Sequence, residues 1–209
     1  MKRGWFITFE GPEGSGKSTQ VRRLVRALQR RRRRVLVTHE PGGTPMGRAI
    51  RDILLHRTTL QLTPLAELAL FMASRAQLVS DVIAPALRRG TVVICDRFLD
   101  STKAYQGGGS GLDRRVIDVL GHTVTAGVHP DVTFLLDLDP AEGLRRRGRR
   151  RDRMEAKTLR YHRRVRRAYL AIARREPRRV MRLDARQSID ILHQQILRAV
   201  EQRLRRSTR

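Results

Sequence analysis

The chain has 209 residues, and its 45 Lys and Arg against 20 Asp and Glu give it a formal net charge of +25. Hydrophobic residues make up 40% and charged residues 31%, which excludes a disordered, collagen-like or disulfide-stapled protein and predicts one globular domain over residues 1–209. Cys95 is the single cysteine and no apolar run reaches the length of a membrane span, so we expect a cytoplasmic protein.

The positive charge is carried almost entirely by arginine, because only four of the 45 basic residues are lysines. A balance of this kind favours polyanionic partners, either nucleic acid or phosphorylated small molecules. The arginines are spread over the whole chain, however, and a genome-wide bias toward arginine codons would produce the same excess. A basic nucleic-acid-binding ATPase is therefore kept as an alternative, although only 4% of the residues are aromatic and few rings are available to stack on bases.

Short apolar runs alternate with longer segments of helical spacing along the chain. Runs typical of β-strands occupy residues 5–10, 35–39, 91–95, 132–138 and 180–183. Segments with helical spacing occupy residues 17–32, 65–88, 113–126, 152–175 and 188–206. This alternation predicts a five-stranded parallel sheet with helices on both faces, a three-layer α/β domain, and places ligands at the carboxyl ends of the strands.

The first predicted strand leads into GPEGSGKS at residues 11–18, which matches the phosphate-loop pattern G-x-x-x-x-G-K-[ST] between a strand and a helix. Glycines let the backbone curl so that N–H groups point into one concavity, and the following helix adds its positive N-terminus. Lys17 is expected to reach the β- and γ-phosphates of ATP, and Ser18 to occupy one ligand position on Mg²⁺. The residues predicted to hold ATP are Gly11, Glu13, Gly14, Ser15, Gly16, Lys17, Ser18 and Thr19.

Acidic and basic residues near the predicted strand ends extend this site. Asp96 and Arg97 follow the third strand, where Asp96 is predicted to hold Mg²⁺ through water or to steer Arg97 onto a phosphate. A surface ion pair is the alternative, and Asp137 at the end of the fourth strand is a rival for the metal. Glu13 would repel a triphosphate, so we expect it to point toward a hydroxyl of a second ligand or to be a solvated turn residue.

One predicted helix carries a pair of residues suited to recognising a base. Phe71 and Arg75 are four residues apart and share one helix face, so the ring can stack on a base while the guanidinium reads its edge. Taken alone, a phenylalanine at such a position is more often part of the core. Farther along the chain, hydroxyl, phenol and amide side chains precede a run of glycines at residues 107–109.

Six sequence blocks follow one another over nearly the whole chain. They read FEGPEGSGKSTQ at 9–20, EPGGTP at 40–45, FMASRAQ at 71–77, DRFLDSTKAYQGGG at 96–109, HPDVTFLLDLDP at 129–140, and DRMEAK with YHRRVRRAYL within 152–170. Together these blocks resemble the bacterial thymidylate kinases. The resemblance implies a P-loop fold of the nucleoside-monophosphate-kinase type, Mg²⁺-dependent transfer of a phosphoryl group from ATP to dTMP in dTTP synthesis, and a homodimer. A kinase of the same fold acting on another nucleoside monophosphate is the alternative.

The resemblance also implies roles for the residues that would hold the nucleoside of dTMP. Phe71 would stack on thymine, and Arg75 would hydrogen-bond to its edge. Thr102 and Gln106 would line the base pocket, and Tyr105 would lie against the sugar and disfavour a 2′-hydroxyl.

A second group of roles implied by the resemblance concerns the phosphate and the metal. Glu13 would bind near the 3′-hydroxyl of dTMP, and Arg51 and Arg97 would hold the acceptor phosphate. Glu40 and Asp96 would organise the site around magnesium, with Glu40 also among the residues predicted to bind dTMP and with Ser18 and Asp96 as the predicted metal-binding residues.

The segment RRRGRRRDR at residues 145–153 looks like an exposed flap between two helices. One branch of the resembled family has a glycine at the position of Gly14 and supplies a cation from a lid, which implies a lid at about residues 141–155. Arg149, Arg150 or Arg153 would then close over ATP, although a solvated charge run is the alternative. The residues predicted to be catalytic are Lys17, Asp96, Arg97, Arg149, Arg150 and Arg153.

Overall fold

The computed structural model describes residues 3–57, 59–148 and 152–206 and has a five-stranded sheet at its centre. The strands are β1 (Phe6–Glu10), β2 (Val35–His39), β3 (Val92–Asp96), β4 (Val132–Asp137) and β5 (Val180–Asp184). They pair in parallel in the order β2-β3-β1-β4-β5. The predicted five-stranded parallel sheet is confirmed, and each strand begins and ends within one residue of its predicted bounds.

Helices and two π-helical segments connect the strands. The helices are α1 (Lys17–Arg30), α2 (Pro45–Leu55), α3 (Pro64–Leu78), α4 (Ala84–Arg88), α5 (Leu99–Thr102), α6 (Arg114–Thr125), α7 (Pro140–Arg147), α8 (Leu159–Arg175) and α9 (Ile189–Arg206). One π-helical segment, Val79–Ile83, joins α3 to α4, and the other, Lys103–Gly109, continues α5.

Both faces of the sheet are covered, as the sequence pattern predicts. Successive side chains of a strand point to opposite faces, so β1 contributes to two cores. Ile7 and Phe9 belong to the cluster that α1 and α9 complete on one face. Phe6 lies on the other face, in a cluster with Leu78 and Ile83 at the junction of α3 and α4. The domain is therefore a three-layer α/β structure with the carboxyl ends of its strands at one edge.

The helix predicted over residues 65–88 is interrupted in the structure. The N–H of Ala84 bonds to the carbonyl of Val79, five residues back, where the helix changes from α to π geometry. Pro85 follows directly, and it has no N–H with which to continue an α-helical ladder. This proline is the sequence signal for the interruption, and the spacing of apolar residues alone does not reveal it.

Three short helices, α2, α5 and α7, lie outside the predicted helical segments. Thr44 caps α2 by accepting the N–H of Gly47 at 2.9 Å, and Asp139 caps α7 by accepting the N–H of Ala141 at 2.9 Å. The glycine run at 107–109 ends the second π-helical segment and packs against α8, where a Cβ on Gly108 would lie 2.5 Å from the Cβ of Ala168. Local caps and close contacts of this kind define these elements, which are too short to show a long apolar periodicity.

The segment predicted to be a lid, about residues 141–155, is described in part. Helix α7 forms its first half, and turns from residue 153 onward lead to α8, which begins after its N-cap Thr158. Residues 149–151 lie outside the described residues, and the predictions for Arg149 and Arg150 fall there. Across the ranges that the structure describes, we find no helix with both the length and the apolar character needed to cross a membrane.

Candidate active site

The loop between β1 and α1 is shaped by glycines with positive φ. Gly14 has φ 67°, and a Cβ at this position would lie 2.2 Å from the carbonyl oxygen of Gly143, so α7 packs directly on the loop. Gly16 has φ 89° and is the N-cap of α1 without contributing a side-chain hydrogen bond. The first amides of α1 thus face the loop concavity, an arrangement suited to binding phosphate.

Lys17 lies in the first turn of α1 with its ammonium group in the loop. Nζ donates to the carbonyl oxygens of Gly11 at 3.0 Å and Pro12 at 2.9 Å. Burial and the neighbouring Arg97 lower the pKa of Lys17 to about 8. The predicted phosphate-binding cation is therefore held in the concavity by the main chain of the loop itself.

Ser18 and Asp96, the two predicted metal-binding residues, are in direct contact. The hydroxyl of Ser18 donates to Oδ2 of Asp96 at 2.9 Å, which joins the first turn of α1 to the last residue of β3. Both residues are oxygen donors of the type that Mg²⁺ prefers, and Mg²⁺ commonly binds to one or two protein oxygens together with substrate phosphates and water. The pair fits a magnesium ion bound with ATP.

Asp137, the rival for the metal, has other partners. Its carboxylate accepts hydrogen bonds from Arg166 at 2.7 Å and Arg182 at 2.7 Å. Burial opposes ionisation, but these two guanidinium groups keep the pKa of Asp137 below its usual value. Since the two carboxylate oxygens of Asp137 already accept from arginines, Asp96 is the better candidate for the metal.

Arg97 is held in an uncommon backbone conformation by contacts on several sides. Its φ is 72°, in the left-handed region that non-glycine residues rarely adopt. Nη2 donates to Glu13 at 2.7 Å and to the hydroxyl of Tyr105 at 3.2 Å, and Nη1 donates to the hydroxyls of Ser101 at 3.2 Å and Tyr169 at 3.1 Å. These contacts fix the guanidinium at the end of β3.

The charges of Arg97 and Glu13 support each other. Burial alone would lower the pKa of Arg97, but Glu13 and neighbouring groups raise it well above its usual value. Burial would likewise raise the pKa of Glu13, whereas Arg97 and Lys17 lower it to about 2. Glu13 also accepts the hydroxyl of Tyr105 at 2.6 Å. The loop carboxylate is thus ionised and turned toward Arg97 rather than toward solvent.

Glu10, which the sequence analysis did not single out, lies behind Arg97. It is 1% exposed and accepts hydrogen bonds from the amide of Phe98 at 2.7 Å and the hydroxyls of Ser101 at 2.6 Å and Tyr169 at 2.9 Å. Burial and the nearby Asp100 raise the pKa of Glu10 to about 7. Glu10 therefore orients two hydroxyls that in turn hold the Arg97 guanidinium.

A cavity of about 140 Å³, here called the inner cavity, lies beside the strand ends and between α2, α3 and the second π-helical segment. It is lined by all nine residues that the resemblance assigns to dTMP. These are Glu13, Glu40, Arg51, Phe71, Arg75, Arg97, Thr102, Tyr105 and Gln106. The structure brings together side chains that are up to 93 positions apart in the chain, counting from Glu13 to Gln106.

Arg75 is the most deeply buried charge in the wall of the inner cavity, with 1% exposed. Nε and Nη2 donate to Oε2 of Glu40 at 2.8 and 2.5 Å, and Nη2 also donates to Thr102 at 3.0 Å. Burial raises the pKa of Glu40, and Arg75 opposes that rise. The other oxygen of Glu40 is buried without a hydrogen-bond partner among the described residues. Glu40 and Arg75 therefore form a rigid polar wall with one acceptor left for a ligand.

A second, larger cavity of about 650 Å³, here called the loop cavity, follows the phosphate loop. Seven of the eight predicted ATP-binding residues line it, and only Gly11 does not. The two cavities meet at residues that line both of them: Glu13, Glu40, Arg51, Arg97 and Arg147. Two ligands bound in the two cavities would therefore approach each other beside three guanidinium groups.

The sequence of this chain matches a known protein family. The sequence profile described as Thymidylate kinase matches residues 9–196. The chain belongs to the thymidylate kinase family. It is 48% identical over 205 residues to the thymidylate kinase of Deinococcus radiodurans, covering 97% of this chain and 99% of that protein. A thymidylate kinase of Roseiflexus sp. strain RS-1 is also 48% identical, over 218 residues, with 98% and 96% of the two chains covered.

The fold agrees with this assignment. The crystal structure of thymidylate kinase from Ehrlichia chaffeensis matches with a TM-score of 0.77 and 35% identity, covering 95% of this chain and 99% of that one. The family resemblance and the P-loop kinase fold predicted from the six sequence blocks are confirmed. The chain is accordingly an enzyme, a nucleotide-binding phosphotransferase of nucleotide biosynthesis.

The described arginines of the segment predicted to be a lid lie in different places in this kinase. Arg147 lines both cavities and donates to Glu155 at 2.7 Å, although the sequence analysis did not choose it within the arginine run. Arg153 lines neither cavity, and it donates to Glu67 at 2.9 Å and to the carbonyl of Leu54 at 2.7 Å. Position along an arginine run gives no signal for this difference, because it depends on how α7 packs against the loop.

Proposed function

We propose that this kinase transfers the γ-phosphoryl group of ATP to dTMP, giving ADP and dTDP, with ATP in the loop cavity and dTMP in the inner cavity. The observation that carries the assignment of the two cavities is their junction, where Glu13, Arg51, Arg97 and Arg147 line both of them. Reacting phosphates must meet nearly in line for phosphoryl transfer, so two nucleotide sites need a common cationic wall.

On the donor side, main-chain amides of the loop and Lys17 hold the β- and γ-phosphates of ATP. Ser18 and Asp96, which share a hydrogen bond of 2.9 Å, would hold the magnesium ion. When bound, the ion neutralises charge on the phosphates of ATP. The protein itself supplies a fixed concavity, since Lys17 is already anchored to two loop carbonyls.

On the acceptor side, Phe71 stacks on thymine from α3, and Arg75 hydrogen-bonds to the edge of the base. Arg75 is suited to this because Glu40 and Thr102 lock its guanidinium in one orientation. An arginine with fixed donors favours a ring that offers an oxygen at that place over one that offers an amino group. The base is therefore selected by a side chain that cannot turn away.

The sugar and the acceptor phosphate lie farther out along the inner cavity. Tyr105 packs against the sugar, and Glu13, ionised beside Arg97, accepts from the 3′-hydroxyl. Arg51 and Arg97 hold the phosphate of dTMP at the junction of the two cavities. Guanidinium groups pair with two phosphate oxygens at once, which aligns the acceptor for attack.

Catalysis in this arrangement is positioning and electrostatic stabilisation, without a protein nucleophile. Arg147 is the described lid arginine that faces the junction, and Arg149 and Arg150 are proposed to add cations when the lid closes. Cations placed on the transferred group are worth about 10³ to 10⁵ in rate in related phosphoryl transfers. Closure after dTMP binds would also keep water from taking the phosphoryl group.

A coupled assay of ADP release, run with and without dTMP, tests donor, acceptor and their coupling together. We expect ADP release to depend on dTMP and to be weaker with dUMP or other nucleoside monophosphates. A preference for dUMP would assign the chain to another kinase of the same fold. ATP consumption that needs nucleic acid and no monophosphate would favour the basic ATPase, and its binding would weaken steeply with salt.

The homodimer and the cytoplasmic location belong to the same proposal. Helices α3 and α6 pack together, and Leu65, Val116 and Val119 on them are 58%, 42% and 66% exposed. An exposed apolar face of this kind is suited to a second copy. We expect light scattering to show a dimer that Val119→Glu converts to a monomer, whereas Ile189→Glu on α9 leaves it intact.

ATP and dTMP are cytoplasmic metabolites, and cell fractionation checks the location.

A further inference from the structure

Glu67 lies behind the inner cavity on α3 and connects two other parts of the molecule. Glu67 is buried, with 3% of its surface exposed. One carboxylate oxygen, Oε1, accepts a hydrogen bond from Nε2 of Gln106 at 2.9 Å, and the other, Oε2, accepts one from Nη2 of Arg153 at 2.9 Å. Gln106 lines the inner cavity, whereas Glu67 and Arg153 do not. Glu67 therefore acts on a ligand in this cavity only through another side chain.

We propose that Glu67 is a positioning residue that sets the orientation of the Gln106 amide and thereby selects pyrimidines with a proton on N3. An ionised carboxylate only accepts hydrogen bonds, so the nitrogen of the amide must be the atom on its side. The carbonyl oxygen of Gln106 then lies on the other side of the amide and offers an acceptor to the inner cavity. The inference rests on the proposed function, because the ligand concerned is the base of dTMP.

The N3 position separates the pyrimidine bases chemically. Thymine and uracil carry an N3–H donor there, whereas cytosine carries a lone pair. An oxygen of Gln106 pairs with the donor but opposes the lone pair, and a buried acceptor left without a proton is costly. Arg75 provides the matching contact to a base oxygen, so the two side chains present a donor and an acceptor in fixed positions.

Arg153 provides the charge that allows Glu67 to remain buried as a carboxylate. The Arg153 side chain is 12% exposed, and its Nε also donates to the carbonyl of Leu54 at 2.7 Å. Its main-chain N–H bonds to the carbonyl of Leu55 at 3.1 Å, which ties this part of the lid segment to the end of α2. Buried charges persist when they are paired and hydrogen-bonded. These contacts give Arg153 a supporting part, beside the base pocket rather than over the phosphates.

The test compares kcat/KM for dTMP with the inhibition constant of dCMP in the wild type and in Glu67→Gln. An amide at position 67 can donate or accept, so Gln106 loses its fixed orientation. We expect the preference for dTMP over dCMP to fall about tenfold, the equivalent of one hydrogen bond, with KM for dTMP changing more than kcat. The double variant Glu67→Gln, Gln106→Glu exchanges the two groups and again turns an acceptor toward the base, so most of the preference should return.

Two single variants separate this role from simple support of the fold. Asp100→Asn removes another buried carboxylate that pairs with an arginine, at 2.7 Å from Arg179, and should leave the preference unchanged. Arg153→Lys keeps a positive charge beside Glu67 but gives up the second donor that bonds to the carbonyl of Leu54, so it should weaken the protein to heat but keep most of the preference. An equal loss of preference in Arg153→Lys overturns the proposal, and so does an unchanged preference in Glu67→Gln.

The double variant keeps the proposal testable where Glu67→Gln does not fold. A folded double variant that keeps the dTMP preference supports the proposal, and one that loses it overturns the proposal. Failure of the proposed function has a different signature, because the wild-type protein itself would then not turn over dTMP.

Discussion

Glu10 and Glu13 lie on opposite sides of Arg97 and have opposite pKa shifts, although both are largely buried. On the side of the two cavities, Glu13 accepts directly from Arg97 at 2.7 Å, and Arg97 with Lys17 overcomes the effect of burial and lowers its pKa to about 2. Behind Arg97, Glu10 accepts from uncharged O–H and N–H donors, and burial with the nearby Asp100 raises its pKa to about 7. The partner decides the charge, not burial alone.

Because of this difference, Glu13 and Glu10 hold the Arg97 guanidinium in different ways. The Glu13 side is a fixed pair of opposite charges that faces the ligands, so it affects substrate binding directly. The Glu10 side is a network of hydroxyls that orients Arg97 without touching a ligand, so its effect should be smaller and should depend on pH. Substitutions on the two sides can therefore be ranked before they are measured.

The largest loss is expected from Lys17→Ala on the ligand-facing side. Removing a cation that contacts the transferred phosphates should lower kcat by about 10² to 10³, while the fold is kept, as circular dichroism would show. Lys103→Ala is the matched control, because Lys103 pairs with Asp118 outside both cavities. Turnover near the wild-type rate in Lys17→Ala would contradict its assignment.

Arg97→Lys should cost about 100-fold in kcat/KM for dTMP. A lysine keeps the charge but cannot donate at once to Glu13, Tyr105 and a phosphate, because its ammonium is a single point on a flexible stem. Arg179→Lys is the matched control, since the Arg179 side chain is 19% exposed against 17% for Arg97 and contacts neither cavity. Equal losses in the two variants would show that the effect is one of stability.

The two sides of Arg97 also differ in how well the sequence predicts them. The phosphate loop, its strand and its helix are encoded within a few adjacent residues, so the prediction of β1 and of Glu13 near the ligand needs only local sequence and family blocks. The partners of Glu10 are remote, with Tyr169 lying 159 positions away. A buried carboxylate and a surface one look alike in a sequence until the fold supplies their partners.

The same reason explains what else the sequence did not provide. The pairing of Glu67 with Arg153 joins residues 86 positions apart, and neither belongs to a local pattern that indicates a contact. Arg147 is one of several arginines in a run, and only the packing of α7 on Gly14 turns it toward the cavities. Strand positions follow from short apolar runs, whereas these contacts follow from how the helices dock on the sheet.

Glu13→Gln should raise KM for dTMP about tenfold, because a neutral amide accepts more weakly from a hydroxyl and from Arg97. The pKa of Glu13, about 2, is below its ordinary value of 4.5, so its contribution to stability is present above about pH 4.5 and is lost as the pH falls toward 2. Unfolding by denaturant at pH 3 and pH 7 should therefore show a smaller acid loss in the variant than in the wild type. An identical acid loss in both would contradict the ion pair.

Glu10→Gln should change turnover only a few-fold, and its main effect should appear in the pH dependence of stability. The pKa of Glu10 in the folded protein, about 7, is above its ordinary value of 4.5. The folded state therefore holds an extra proton between these values, and the stability contributed by that proton is complete below about pH 4.5 and lost as the pH rises through 7. This loss is on the order of 3 kcal/mol. The glutamine variant cannot ionise, so the difference between the unfolding free energies of the variant and the wild type should change with pH in that window. Parallel curves would mean that Glu10 titrates normally and holds no extra proton in the folded protein.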